Sequence, residues 1–275
     1  MSKNRASFIS MKLTRILLLA GFALLLPISI FAEEKQTIAT DRPDFVESSN
    51  TVGLGRFQVE TSINQETNKI TGSKSSVLTT PTLMRLGFSR TWELRFETDG
   101  GIMDQEENGT GTVKEEGFSD ISLGFKWHTH DGEAGTISPS VGWLIHTDIS
   151  SGSSKFRSRG ARPSLRGVGE WEFPYDFSLG VMPGVIYDFD QDNQRFIGGI
   201  FGLVVGKSWS DNFRTFLELA GQQLSSKEHG GNIITYDAGA AYLIRSNLQV
   251  DTAASIGATN DTPDFSWTVG VSMLY

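Results

Sequence analysis

Beyond residue 55, large apolar side chains recur at every second position, and no stretch has the spacing of an amphipathic helix. In RFQVETSIN (56–64), Phe57, Val59, Thr61 and Ile63 share one face, while Gln58, Glu60, Ser62 and Asn64 share the other. WELRFETD (92–99) sets Trp92, Leu94, Phe96 and Thr98 against Glu93, Arg95, Glu97 and Asp99, and DISLGFKWH (120–128) repeats the pattern. A period of two belongs to a β-strand with one apolar and one polar face. Continued to the C-terminus, it predicts twelve strands, with cores near 55–65, 76–87, 91–102, 117–128, 136–148, 160–170, 176–188, 196–207, 212–223, 232–244, 247–258 and 265–275. The chain stops on FSWTVGVSMLY, with Trp267, Val269, Val271, Met273 and Tyr275 on one face.

The first 32 residues are of another kind. MSKNRASFISMKLTR carries Lys3, Arg5, Lys12 and Arg15 and no acid; an apolar run then closes on Ala32. This is the charged, apolar and small-residue order of a secretory signal peptide, cut after Ala32. Met11 also satisfies the rule as a start. The run is short for a membrane helix and is interrupted by Pro27. Removing four cations from a chain of net charge −8 leaves about −12. An acidic exported chain is a poor partner for nucleic acid. There is no cysteine, so disulfides and thiolate metal sites are excluded.

The connections sort by parity. The first (QETNKITGSKS), third (GGIMDQEENGTGTVKEEG) and fifth (ISSGSSKFRSRG) read as long and polar. The second (SRT), fourth (HDGEAG) and sixth (EWEFPY) read as short, and the contrast weakens later. Alternating long and short connections is the habit of an up-and-down membrane barrel. Charges recur mid-strand on the polar faces: Glu60, Arg85, Glu93, Arg95, Glu97, Asp120, Lys126, Arg166, Glu170, Arg214, Glu218, Asp237, Arg245 and Asp251. Such residues suit a lumen, where they pair, while the apolar face meets lipid. Trp92, Trp127, Trp171, Trp209 and Tyr275 fall beside the short connections, as an interfacial girdle requires. The last strand must pair with the first, because an open edge has no hydrogen-bond partners in lipid.

ATDRPDFVESSNTVGLGRFQVETSI (39–63) resembles the start of the outer-membrane transporter family named for the meta-pathway of phenol degradation (MetA-pathway). The resemblance rests on Thr40, Asp41, Arg42, Pro43 and Asp44, then Gly53 and Gly55, then Gln58 and Glu60. PTLMRLGFSRTWELRF, GFSDISLGFKW, FRTFLELAGQ, YDAGAAYLI and LQVDTAASIG extend it over nearly the whole mature chain. It implies an outer-membrane barrel that passes small organic compounds. The ending also resembles the C-terminal signal of such barrels, which implies the barrel-assembly machinery as a partner. Two readings of Asp41, Arg42, Pro43 and Asp44 stand: a segment that folds into the periplasmic mouth and narrows the pore, or a polar leader that merely caps the barrel end.

Catalytic alternatives are thin. His128 and His130 are two apart on one strand face, with only Asp131 and Glu133 near, short of a zinc set. His146 with Asp148, Ser150 and Ser151 is the nearest approach to a hydrolase arrangement. The glycines of FIGGIFGLVVG suit relief of crowding in a strand better than a phosphate loop.

The reading is an all-β protein: a closed, up-and-down antiparallel transmembrane β-barrel of about twelve strands with a short extended N-terminal segment. Its parts are a signal peptide (1–32), an extended periplasmic segment (33–52) and the barrel (53–275), placed in outer-membrane lipid. The expected function is passive passage of a small organic solute, aromatic ones included, without cofactor, metal or catalytic residue. Arg85, Glu93, Arg95, Asp120, Lys126, Glu218, Asp237 and Asp251 are the expected lining of the path. The same residues would equally serve as a paired network that holds the barrel round. A non-conducting anchor or surface scaffold, and an outer-membrane lipid hydrolase, are the alternatives.

Overall fold

The computed structural model describes residues 37–70, 72–190 and 192–275; the predicted signal peptide lies outside them. The ladder segments are β1 Phe57–Ile70, β2 Ser73–Thr79, β3 Thr82–Gly87, β4 Trp92–Thr98, β5 Gly101–Asn108, β6 Gly111–Phe118, β7 Ile121–His130 and β8 Ser140–Ile149. They continue as β9 Arg162–Phe173, β10 Phe177–Phe189, β11 Arg195–Ser210, β12 Phe213–Leu224, β13 Ile233–Arg245, β14 Leu248–Gly257 and β15 Phe265–Leu274. All pairings are antiparallel, and β15 returns to β1, from Gln58 opposite Leu274 to Thr67 opposite Phe265. The wall is therefore closed. Phe57 and Tyr275 exchange backbone hydrogen bonds of 2.8 and 3.3 Å where the seam begins.

β2–β3, β4–β5 and β6–β7 are each one strand interrupted by two residues, so the chain crosses the wall twelve times, as the alternation predicts. The interruptions at 80–81, 99–100 and 119–120 lie side by side. Beyond them β2, β5 and β6 pair with one another and with the far half of β1. The first and third connections are thus not long loops. They are strands extended past the barrel, and only residues 109–110 separate β5 from β6. Their ladder hydrogen bonds need no apolar face, because both faces meet water. The fourth connection, 131–139, is conversely the longest on the side where the seam begins.

Burial is inverted relative to a water-soluble sheet. Along β7 the apolar Leu123, Phe125 and Trp127 are 45, 46 and 43 % exposed, while Ser122, Lys126 and His128 stay below a tenth. The oily rows face outward and the ionic rows inward, which is the arrangement of a barrel in lipid. No helix among the described residues is long and apolar enough to cross a membrane. On the side that holds the seam's start, Trp92 stacks on Trp127 at 5.1 Å and 9°, and Phe88 meets Phe125 edge-on. Trp143 stands opposite Trp127 in the ladder. Of these rings, Trp92 and Trp127 are two that the sequence places beside the short connections.

Candidate functional site

The first described residues do not stay at the mouth. Residues 37–56 contain no helix or strand, yet Ile38, Asp41, Val46, Glu47, Ser49, Thr51 and Val52 are buried. The segment lies inside the barrel as a plug and leaves it through Gly53–Arg56 into β1. Residues 37–52 of the expected periplasmic leader thus lie within the barrel, and 33–36 lie outside the described residues. Asp41, Arg42, Asp44 and Glu47 each meet an opposite charge on the wall.

One side of the lumen is ionic. Asp41 accepts from Arg95 Nη1 at 2.6 Å, from Lys126 Nζ at 2.7 and 2.8 Å, and from the Ser48 amide at 2.9 Å. Glu47 bridges Arg95 at 2.6 Å and Arg166 at 2.7 Å. Glu93 holds Arg85 and Arg95 and accepts the Val52 amide at 2.9 Å. Glu60 accepts the Asp41 amide at 3.0 and 3.2 Å and pairs with Arg85 at 3.0 Å. Arg85 also donates to the carbonyls of Ala39 and Asn50, both at 2.8 Å. Four cations thus meet four carboxylates, two of which the plug supplies. Buried ions hold only when paired and hydrogen-bonded, which is the condition met here. Burial pushes the Asp41 carboxyl up, but Arg85, Lys126 and Arg95 outweigh it and hold the group well below the usual carboxylate range.

The opposite side holds residues 42–46. Arg42 reaches Asp251 at 3.2 Å and Thr268 at 2.9 Å. Arg214 donates to Asp44 at 3.0 and 3.2 Å and to the Arg42 carbonyl at 3.0 Å. Glu218 accepts the amides of Phe45 and Val46 at 2.8 and 2.7 Å. Glu170 accepts the Ser49 amide at 2.6 Å. Under the plug, on the seam's side, lie two cavities of about 390 and 310 Å³, which share Asp44, Val46, Glu170, Ser178 and Arg214.

Of the predicted lining, Arg85, Glu93, Arg95, Lys126, Glu218 and Asp251 face inward and bind the plug. Asp237 is half-buried opposite Glu218 in the ladder. Asp120 sits at the far rim and accepts the amides of Ser151, Gly152 and Ser158 at 2.7–2.9 Å, fixing the fifth connection. Asp41, Arg42 and Asp44 hold the wall as described, and Pro43 lies between them.

His128 bonds the Ser49 carbonyl at 3.0 Å and Asp131 at 2.9 Å, while His130 bonds Ser138. His146 is buried beside Glu97 at 3.4 Å and Ser122 at 3.5 Å. Ser150 and Ser151 donate to the carbonyls of Ser158 and Ile149, so the hydrolase arrangement is not assembled.

Sequence reasoning passed over Glu47, Glu170 and Arg166 as plug contacts. It also missed the glycines that admit the plug. A Cβ on Gly142 would lie 2.7 Å from the Ser49 carbonyl oxygen and 2.9 Å from its Cα. Backbone cannot give way as a side chain can. Gly142→Val is expected to unseat this part of the plug, since overpacking costs ~1–3 kcal/mol. The native chain has no cysteine, so Ser49→Cys is a clean reporter. Maleimide labelling should rise about tenfold or more when Gly142→Val is added, by the same overpacking cost. Unchanged labelling would show that the wall tolerates the side chain.

The sequence matches the model of the family described as "Putative MetA-pathway of phenol degradation" over residues 40–275. No curated protein matches it. Among solved structures, the COG4313 outer membrane channel from Pseudomonas putida F1 superposes with a TM-score of 0.61 at 8 % identity, covering 83 % of this chain and 98 % of that one. The β domain of the Bordetella autotransporter BrkA gives 0.51 at 14 %, covering 80 and 99 %. The KdgM porin in complex with disordered oligogalacturonate gives 0.50 at 12 %, covering 78 and 98 %. At these identities the likeness is one of fold, and that fold is the outer-membrane barrel.

Proposed function

The chain belongs to the family described as the MetA-pathway of phenol degradation, and from that premise we propose that it is an outer-membrane channel for passive passage of small organic solutes, closed at rest by its own residues 37–56. Export removes residues 1–32, the short connections face the periplasm, and the plug enters from that side. The observation that carries the reading is how the plug is held. It pairs with the wall through carboxylates, guanidinium groups and single amides, and joins no ladder between Ala39 and Val52. Such a segment can leave without breaking the sheet. The likeness in fold to an outer membrane channel and a porin supports the same reading.

Planar-bilayer recording tests it. The full mature chain is expected to give rare openings, and a chain lacking residues 37–52 a steady conductance. Osmotic swelling of proteoliposomes in small polyols should follow the same order. Silence from both forms would overturn the channel and favour the scaffold, for which the projecting β2–β5–β6 sheet is the evident platform.

A further inference from the structure

The lumen has two unlike sides. Where β3, β4 and β7 present Arg85, Glu93, Arg95 and Lys126, β11 presents Phe196, Gly198, Ile200, Gly202, Val204 and Gly206 in alternation, with Met182 of β10 beside them. This apolar stripe is not needed to face lipid, and no charged side chain of β11 interrupts it between Phe196 and Gly206. At its far end the His229 ring stacks on Phe196 at 4.8 Å and 7°, held by Asp190 at 2.9 Å. Midway, Val46 fills a socket among Leu144, Val168, Met182, Val204 and Phe216, with Phe45 packed against it. Two wall glycines shape the socket: a Cβ on Gly202 would lie 2.5 Å from one Val46 methyl, and one on Gly180 3.0 Å from the other. The 390 Å³ cavity, lined in part by Gly180, Val204 and Gly206, ends against Val46.

Val46 occupies this socket as a ligand would. Its amide and that of Phe45 complete the Glu218 carboxylate, at 2.7 and 2.8 Å. We propose that the Gly180–Gly202 socket is a solute-binding site, and that it takes an uncharged molecule with a compact apolar body and one O–H donor. The body replaces the Val46 side chain; the donor replaces an amide on Glu218, which would otherwise stay buried and unpaired. An anion is opposed by Glu218, and the nearby Arg214 is already held by both oxygens of Asp44. The proposal rests on the channel reading only in treating the occupant as cargo.

The probe is 4-fluorobenzyl alcohol, followed by 19F NMR against the folded chain in lipid nanodiscs, with empty nanodiscs as the blank. Val46→Gly vacates the socket and should tighten binding about tenfold or more, as recovery of one buried Val side chain implies. Val46→Gly combined with Gly202→Val refills it from the wall and should return binding to the wild-type level or below. Val46→Cys with Gly202→Cys should form a disulfide that abolishes binding until reduced. In Val46→Gly, 4-fluorobenzoate should bind at least tenfold more weakly than the alcohol, since a carboxylate would lack the donor and face Glu218. The proposal fails if Val46→Gly binds no better than wild type, if the oxidised pair still binds, or if the anion binds equally. Should Val46→Gly not fold, the cysteine pair carries the test alone. Binding without ion current would sink the channel and spare the socket; current without binding would do the reverse.

Discussion

Asp41→Ala is expected to release the plug while leaving the barrel closed on itself. The carboxylate lost is the one on which Arg95 and Lys126 converge, with Arg85 3.4 Å away. Breaking one member of a buried ionic set costs ~3–5 kcal/mol, because the remaining charges stay enclosed and short of a partner. Spread over a seated and a released state, that is a shift of roughly two to four orders of magnitude in population. Single-channel recording should show the variant open for most of the record, while heat-modifiable gel mobility stays that of a folded barrel. A variant as quiet as the wild type would mean that Asp41 does not hold the plug. The pH dependence has a definite sign. A carboxyl held low contributes to seating above the ordinary carboxylate range and loses that contribution only as pH falls through the lowered value. Closure through Asp41 should therefore be flat from neutral pH down to about 4, near the ordinary aspartate value, and Asp41→Asn should open the channel across that whole span.

Leu123→Arg should be the matching failure on the outer face. Leu123 stands outward on β7 opposite Phe96, four residues from the Trp127 ring toward the far side. An arginine near the bilayer midplane costs ~2–4 kcal/mol, falling to about 0–1 near the interfaces. Ile137 is 95 % exposed in the fourth connection, off the wall, and makes the control. Ile137→Arg should change stability by no more than about 0.5 kcal/mol, the usual size of a surface change. Urea unfolding from lipid bilayers measures both. Equal midpoints for the two variants would contradict the assignment of the outer face to lipid.

The transmembrane wall was legible because lipid imposes a one-sided demand. Wherever an apolar face is compulsory, as in ISLGFKWH, the period of two is written into the residues, and the inward set follows by exclusion. Above the wall that demand ends. SKS (73–75) and MDQEEN (103–108) pair as strands that project past the wall, so polarity alone made them look like loops. The plug was less legible still, since a segment held by side chains has no period at all. Its traces were indirect: inward glycines at 142, 180 and 202 in strands otherwise rich in large residues. The wall charges were found, and some do pair with one another, but the partners on Asp41 and Glu47 were not sought.

The seam joins the last strand of the chain to the first. Nothing can therefore be sealed until β15 has reached β1. The plug, which immediately precedes the first strand, must be kept waiting, then either be enclosed at the moment the sides meet or be threaded through the open end afterwards. Assembly of this protein has an obligatory final act, and a chain truncated by even one strand would lack any stage at which that act could occur.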